Sequence, residues 1–273
     1  YKGNKDSENF SHCILGKGLT FDTGGVNLKP TGYLESMFLD KHGACNSLGV
    51  FRSLAKLNLK MNIICAMAVA ENSIDSKSYR PSDIITSRKG YTVEIGNTDA
   101  EGRLCLVDAM TYIQDKYTPE VLIDMATLTG ACMVALGSDI AGAMSNNYPL
   151  LKSVLSASEE VNESLWELPI KREHRQAVTS KCADLTNSSS SDRFGGASQA
   201  GAFLEAFVEK DTKWVHLDIA GPADSGSIGT GFGTKTILNY LINENKNGET
   251  KETTEVPLED LKLVTKNSVL SYI

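Results

Sequence analysis

A nearly unbroken apolar run at residues 62–70 constrains this chain more than any other feature. A short run of that kind, bounded by polar residues, reads as a buried strand. Residues 120–125 and 214–219 give two more strand patterns, and shorter ones fall at 13–15 and 92–95. Between them the period changes. Leu48, Phe51 and Leu54 mark a helix over 46–58, and Leu106, Met110, Ile113 and Tyr117 mark another over 104–117. A short helix is expected from Leu128, amphipathic stretches at 150–165 and 199–208, and a last helix at 236–242. Strands alternating with helices predict an α/β fold, a central, mostly parallel mixed sheet sandwiched between helices in three layers.

Two charged motifs interrupt this pattern just past strand ends, where open α/β sheets carry their sites. Residues 97–104 read Asn-Thr-Asp-Ala-Glu-Gly-Arg-Leu. Asp99 and Glu101 can face one point from a turn, and such like charges are costly together unless a cation neutralises them. A divalent metal, or a pair, answers that need. The plainer reading is a helix start, with Thr98 and Glu101 as a capping box. The second motif, residues 16–25, reads Gly-Lys-Gly-Leu-Thr-Phe-Asp-Thr-Gly-Gly and continues through Lys29 to Asp40. Its glycines allow the backbone to turn and to pass close to a neighbour. A phosphate cradle is the rival, but neither Gly-x-x-x-x-Gly-Lys-Ser/Thr nor Gly-x-Gly-x-x-Gly opening a helix is present.

Together these motifs resemble the leucyl aminopeptidase family, the two-metal cytosolic aminopeptidases. Asn72, the run Tyr79-Arg80-Pro81-Ser82-Asp83, residues 126–131 and residues 216–221 extend the resemblance from about residue 12 to about 242. It implies that Lys17, Asp22, Asp40, Asp99 and Glu101 hold two divalent cations, with Asp22 and Glu101 serving both. Oxygen donors suit zinc, manganese, magnesium or cobalt. Lys17 could ligate only as a neutral amine, its pKa depressed by the adjacent metal charge. Lys29 and Arg103 are implied as the catalytic pair. Lys29 would stabilise the oxyanion of the scissile carbonyl, and Arg103 would hold a bicarbonate serving as general base, for which its forked donors suit. Met37, Thr127, Leu128, Gly130 and Ala200 match the family's pocket for the first side chain. A small apolar pocket favours leucine-like residues without strictness, since one missing methylene costs only about 1–3 kcal/mol.

The resemblance also implies peptide substrates, a cytoplasmic location and a homohexamer built as a dimer of trimers. Family members carry a further N-terminal domain. The chain opens at Tyr1, a few residues before the first motif, which reads as the catalytic part of a longer parent or a trimmed product. Residues 1–246 are expected to form the catalytic domain and 247–273 a polar, disordered linker and tail. Disorder is expected over 243–255 on composition, and a mobile connection over 188–196. One departure stands beside a metal ligand, where Lys41-His42-Gly43 replaces a small or apolar stretch. Both side chains are expected to point away from the site, the alternative being that they weaken the second metal.

Bulk properties exclude some classes. With 27 basic and 34 acidic residues the net charge is −7, which argues against a dedicated nucleic-acid surface. No apolar stretch is long enough to span a membrane, and the opening residues lack a signal-peptide core. The six cysteines include no Cys-x-x-Cys, and Cys13, Cys65, Cys105 and Cys132 sit in apolar runs, as reduced buried thiols do. His216 is expected to be a hydrogen-bonded core histidine. The alternative function is a family-like scaffold without catalysis that acts by binding, nucleic acid included; intact ligand positions weigh against it.

Overall fold

The computed structural model describes residues 1–188 and 194–248. The chain runs β1 (His12–Asp22), a 3₁₀ turn at Met37–Leu39, α1 (His42–Leu57), β2 (Ile63–Asn72), β3 (Ile84–Thr86), β4 (Thr92–Glu94), α2 (Glu101–Tyr117) and β5 (Val121–Ala126). It continues with α3 (Gly130–Leu136), β6 (Ala141–Ser145), α4 (Tyr148–Glu160), β7 (Leu165–Glu167), α5 (Arg172–Ala177), β8 (Leu185–Thr186) and α6 (Gly196–Glu205). β9 (Lys213–Asp218), a hairpin of β10 (Asp224–Ser225) and β11 (Ile228–Gly229), and α7 (Thr234–Gly248) complete it.

The central sheet has the order β2-β1-β5-β9-β6-β7. Its neighbours are parallel except β6 and β9, which run antiparallel. A small sheet, β3-β4-β8, stands apart. Alternate residues of each central strand feed two cores. Ile14, Ile123 and Val215 meet Val50 and Leu54 of α1, Leu151 and Val154 of α4, and Ile237 and Leu241 of α7. Leu15, Leu122 and Trp214 meet Leu106 and Met110 of α2 and Phe203 of α6. The result is the expected three-layer sandwich around a mostly parallel mixed sheet. Among the described residues no helix is long and apolar enough to cross a membrane.

Several boundaries differ from the sequence expectation. The glycine-rich segment is strand, not loop: β1 continues through Gly16 and Lys17 to Asp22, with β2 paired along it. A Cβ on Gly16 would stand 2.1 Å from the Gly43 carbonyl oxygen, so glycine here admits the start of α1 rather than a turn. α1 begins at His42, and α4 ends at Glu160, leaving Leu165 to β7. β6 had no sequence signal. Helix α7 extends through 243–248, where composition predicts disorder, because its polar side chains find partners. Asn243 Nδ2 donates to Glu160 at 3.3 Å, and Asn245 accepts the Lys60 N–H at 2.9 Å. Residues 189–193 of the serine-rich connection and the tail from 249 to 273 lie outside the described residues.

Candidate functional site

Lys17 lies in the middle of β1 and is only 3 % exposed. Its ammonium faces both Asp40 oxygens, at 2.8 and 2.7 Å, and Glu101 at 3.4 Å. It also donates to the Thr127 carbonyl at 3.0 Å, while the Thr127 hydroxyl donates to Asp40 at 2.7 Å. Gly102 makes this possible. A Cβ there would stand 2.4 Å from Lys17 Cε, so the lysine stem passes directly beneath the first turn of α2.

Lys29 anchors a second group. Its ammonium lies 2.9 Å from Asp22 and 2.6 Å from Asp99. Asp22 accepts from Gly24 N–H and from Asn72 Nδ2, both at 2.8 Å, and the same Asn72 amide reaches Glu101 at 3.4 Å. Thr98 does not cap α2. Ala100 is the cap residue, and the Thr98 hydroxyl instead donates to the Gly24 carbonyl at 2.6 Å and accepts Asn27 N–H at 2.8 Å, fastening the two motifs together.

Four carboxylates from three separate segments thus converge on two lysines. Burial lowers the affinity of Lys17 for its proton, but the charges of Asp40, Glu101 and Asp22 outweigh it and hold its pKa above the ordinary value. Burial pushes Asp40 up to about 6 against the opposing charge of Lys17, and raises Asp99 despite Lys29. These carboxylates fit divalent cations. Asp22, Asp99 and Glu101 offer oxygens within 4.8 Å of one another. Asp40 Oδ2 and Asp99 Oδ1 are buried without a hydrogen-bond partner, facing only lysine charge. Hard oxygen donors in that number suit the metals named above.

Arg103 is buried in the first turn of α2, and burial lowers its pKa to about 10 against the pull of Glu101 and Asp218. Its Nη1 donates to the Asn187 carbonyl at 2.6 Å, and its Nε has no partner. Of the expected pocket residues, Met37 is half-buried in the turn before Asp40, and Leu128 is half-buried against the α2–α6 core. Gly130 is exposed with open space where a side chain would point, and Ala200 is fully buried in α6.

The sequence carried no role for three buried supports, Asn72, Asn187 and Asp218. Asp218 receives Leu128 N–H at 3.1 Å and the Thr129 hydroxyl at 2.7 Å, setting the loop that bears Thr127. Residues 216–221 are apolar enough to pass for plain strand, which hides it. Lys41 and His42 turn away from the acidic cluster. Lys41 donates to the Thr20 carbonyl at 3.2 Å, and the His42 ring packs against Gly229 of the hairpin. His216 is the core histidine expected, with Nδ1 2.6 Å from Asp124. All six cysteines are free, although Cys65 and Cys105 are only half-buried and Cys45 and Cys182 are exposed.

Comparison with known proteins identifies the family. The model of the cytosol aminopeptidase family, catalytic domain, matches residues 1–238. A probable cytosol aminopeptidase of Persephonella marina is 46 % identical over 239 residues, covering 85 % of this chain and 48 % of the relative. One from Fusobacterium nucleatum subsp. nucleatum is 46 % identical over 257 residues, covering 90 % and 52 %. Another, from Vibrio parahaemolyticus, is 44 % identical over 246 residues, covering 89 % and 48 %. The chain spans about half the length of the curated relatives it matches.

Proposed function

Since the chain belongs to the cytosol aminopeptidase family, we propose that it is a metal-dependent aminopeptidase removing N-terminal residues, leucine-like ones preferentially, from peptides. Lys17, Asp22, Asp40, Asp99 and Glu101 would hold two divalent cations, zinc or manganese first, with magnesium and cobalt the other choices. The chemistry such cations supply is a water deprotonated near neutral pH and a polarised carbonyl.

The remaining work falls to side chains. The Lys29 ammonium, fixed by Asp22 and Asp99, would face the scissile carbonyl and stabilise the negative charge that grows on its oxygen. Arg103 spends one donor on Asn187 and keeps its Nε free. That unpartnered donor would help hold a bicarbonate, which would supply a general base beside the metals. Thr127 and Leu128, with the open space at Gly130 and half-buried Met37, would receive the first side chain, whereas Ala200, expected there by resemblance, is fully buried in α6 and could only back the pocket from behind. The relatives' names point to action in the cytosol, and a hexamer, a dimer of trimers, is the assembly we expect of the parent protein.

The observation that carries this reading is the convergence of Asp22, Asp40, Asp99 and Glu101 around two lysines, with buried carboxylate oxygens whose only partners are lysine ammoniums. The test is hydrolysis of leucine anilide by protein loaded with manganese or zinc. Turnover should vanish with chelator, with Asp99→Ala and with Lys29→Ala. Undiminished turnover in those variants would refute the residue roles, and an inert loaded protein would point to a binding scaffold.

A further inference from the structure

Asn187 lies just past β8, fully buried, and every polar group it owns is engaged. Its N–H donates to the Glu94 carbonyl at 3.1 Å. The side-chain oxygen accepts from Gly96 N–H at 2.8 Å and Asn97 N–H at 3.3 Å. The side-chain nitrogen donates to the carbonyls of Asn97 at 2.7 Å and Ala100 at 3.3 Å. Its own carbonyl receives Arg103 Nη1 at 2.6 Å. One residue therefore brackets the whole 96–100 turn, which carries Asp99 and leads into Glu101, and also aims the guanidinium two residues further on.

We propose that Asn187 is a positioning residue for the reaction, holding Asp99, Glu101 and Arg103 at a fixed mutual spacing. The inference rests on the aminopeptidase reading above. Asn187 touches no reacting atom and acts through the turn and through Arg103. Its four side-chain bonds need two acceptors' worth of lone pairs and two donors in one planar group, which only an amide supplies at this length. Asp keeps the shape but sets a charged acceptor against two carbonyls. Ala takes away one partner from each of four partly buried backbone groups. Either change frees the turn to drift, and displacements of this size at reacting groups cost rate rather than substrate binding.

The experiment uses the full chain, metal-loaded, with leucine anilide and added bicarbonate. Asn187→Asp and Asn187→Ala are compared with wild type and with Glu163→Gln. Glu163 accepts Gly233 N–H, Thr236 N–H and the Thr236 hydroxyl at the start of α7, outside the acidic cluster. Both Asn187 variants should lose at least tenfold in kcat with KM within twofold, and need at least fivefold more bicarbonate for half-maximal rate. Glu163→Gln should lower the melting temperature and leave kcat and bicarbonate dependence alone, separating lost stability from lost positioning. Folded Asn187 variants with kcat within twofold and unchanged bicarbonate dependence would overturn the inference. If neither variant folds, hydrogen exchange of wild type decides: Gly96 and Asn97 amides should exchange at least a hundredfold slower than in an unfolded peptide, and free-peptide rates overturn it. An active wild type with unaffected variants refutes this inference alone; a wild type without chelator-sensitive turnover refutes it together with the aminopeptidase reading.

Discussion

Replacing Gly102 with alanine should destabilise the protein, against the usual sign of that change. Inside an ordinary helix, Gly→Ala gains about 1 kcal/mol from backbone entropy. Here the new methyl would meet Lys17 at Cε (2.4 Å), Nζ (2.8 Å) and Cδ (3.0 Å). A lysine tip commonly swings aside at small cost, but this one is 3 % exposed and pinned by Asp40, Glu101 and the Thr127 carbonyl. Pulling it from those partners breaks a buried ion pair, a loss of about 3–5 kcal/mol. The net expectation is a loss of about 2–4 kcal/mol, which lowers the melting temperature on the order of 5–10 °C, with hydrolysis abolished. A double-mutant cycle isolates the cause. In a Lys17→Ala background the clash disappears, so Gly102→Ala should turn mildly stabilising, by up to about 1 kcal/mol. If Gly102→Ala alone melts at or above wild type and keeps its turnover, Lys17 is not held as described.

Three further outcomes follow from the same structure. Burial, aided by the charge of Lys213, lowers the His12 imidazole to about 4, whereas an unfolded histidine titrates near 6.5. The unfolded chain therefore takes the proton first, and stability should fall by about 3 kcal/mol as pH drops from about 6.5 to about 4; urea melts at pH 7 and 4.5 should show that part of the acid loss disappear in His12→Gln, and equal losses in both proteins would contradict it. Asp124→Ala leaves buried His216 and the Trp214 indole N–H, which donates to Asp124 at 2.7 Å, without a partner. Chemical denaturation should register about 3–5 kcal/mol, and a loss under 1 kcal/mol would show the pair to be dispensable. Asp218→Ala releases the 127–130 loop, so steady-state kinetics should show KM for leucine anilide rising several-fold, an unchanged KM counting against a role in shaping that loop.

Much of this architecture is legible in the chain because buried strands such as 62–70 and 120–125 carry their own apolar signature between amphipathic helices. β6 is not. Ala141-Gly142-Ala143-Met144-Ser145 has no β-branched or aromatic residue, and it becomes strand only because β9 and β7 pair with its two edges. Gly16-Lys17-Gly18 reads as loop for a related reason: local composition speaks for a turn, while β2 and β5 on either side of β1 decide otherwise. At the site, the acidic and basic residues of both motifs stand out because charge beside glycine at strand ends is hard to explain by packing. Their lysine-bridged pairing needs the tertiary fold. Asn187 is silent in sequence, since an asparagine before a serine run looks like any turn residue. Thr98 misleads as well, fitting a helix cap by spacing while its hydroxyl serves a contact 74 residues away.

The reversal of β6 against β9 divides labour along the chain. β1, β2, β5 and β9 all run one way, while β6 and β7 run the other; the charged side chains of the proposed site come from residues 17 to 103, and Asn187 and Asp218 brace neighbouring turns from later in the chain. New reactivity is therefore to be sought by varying the earlier half, while substitutions at exposed positions within 141–167 should retune robustness and leave the chemistry intact.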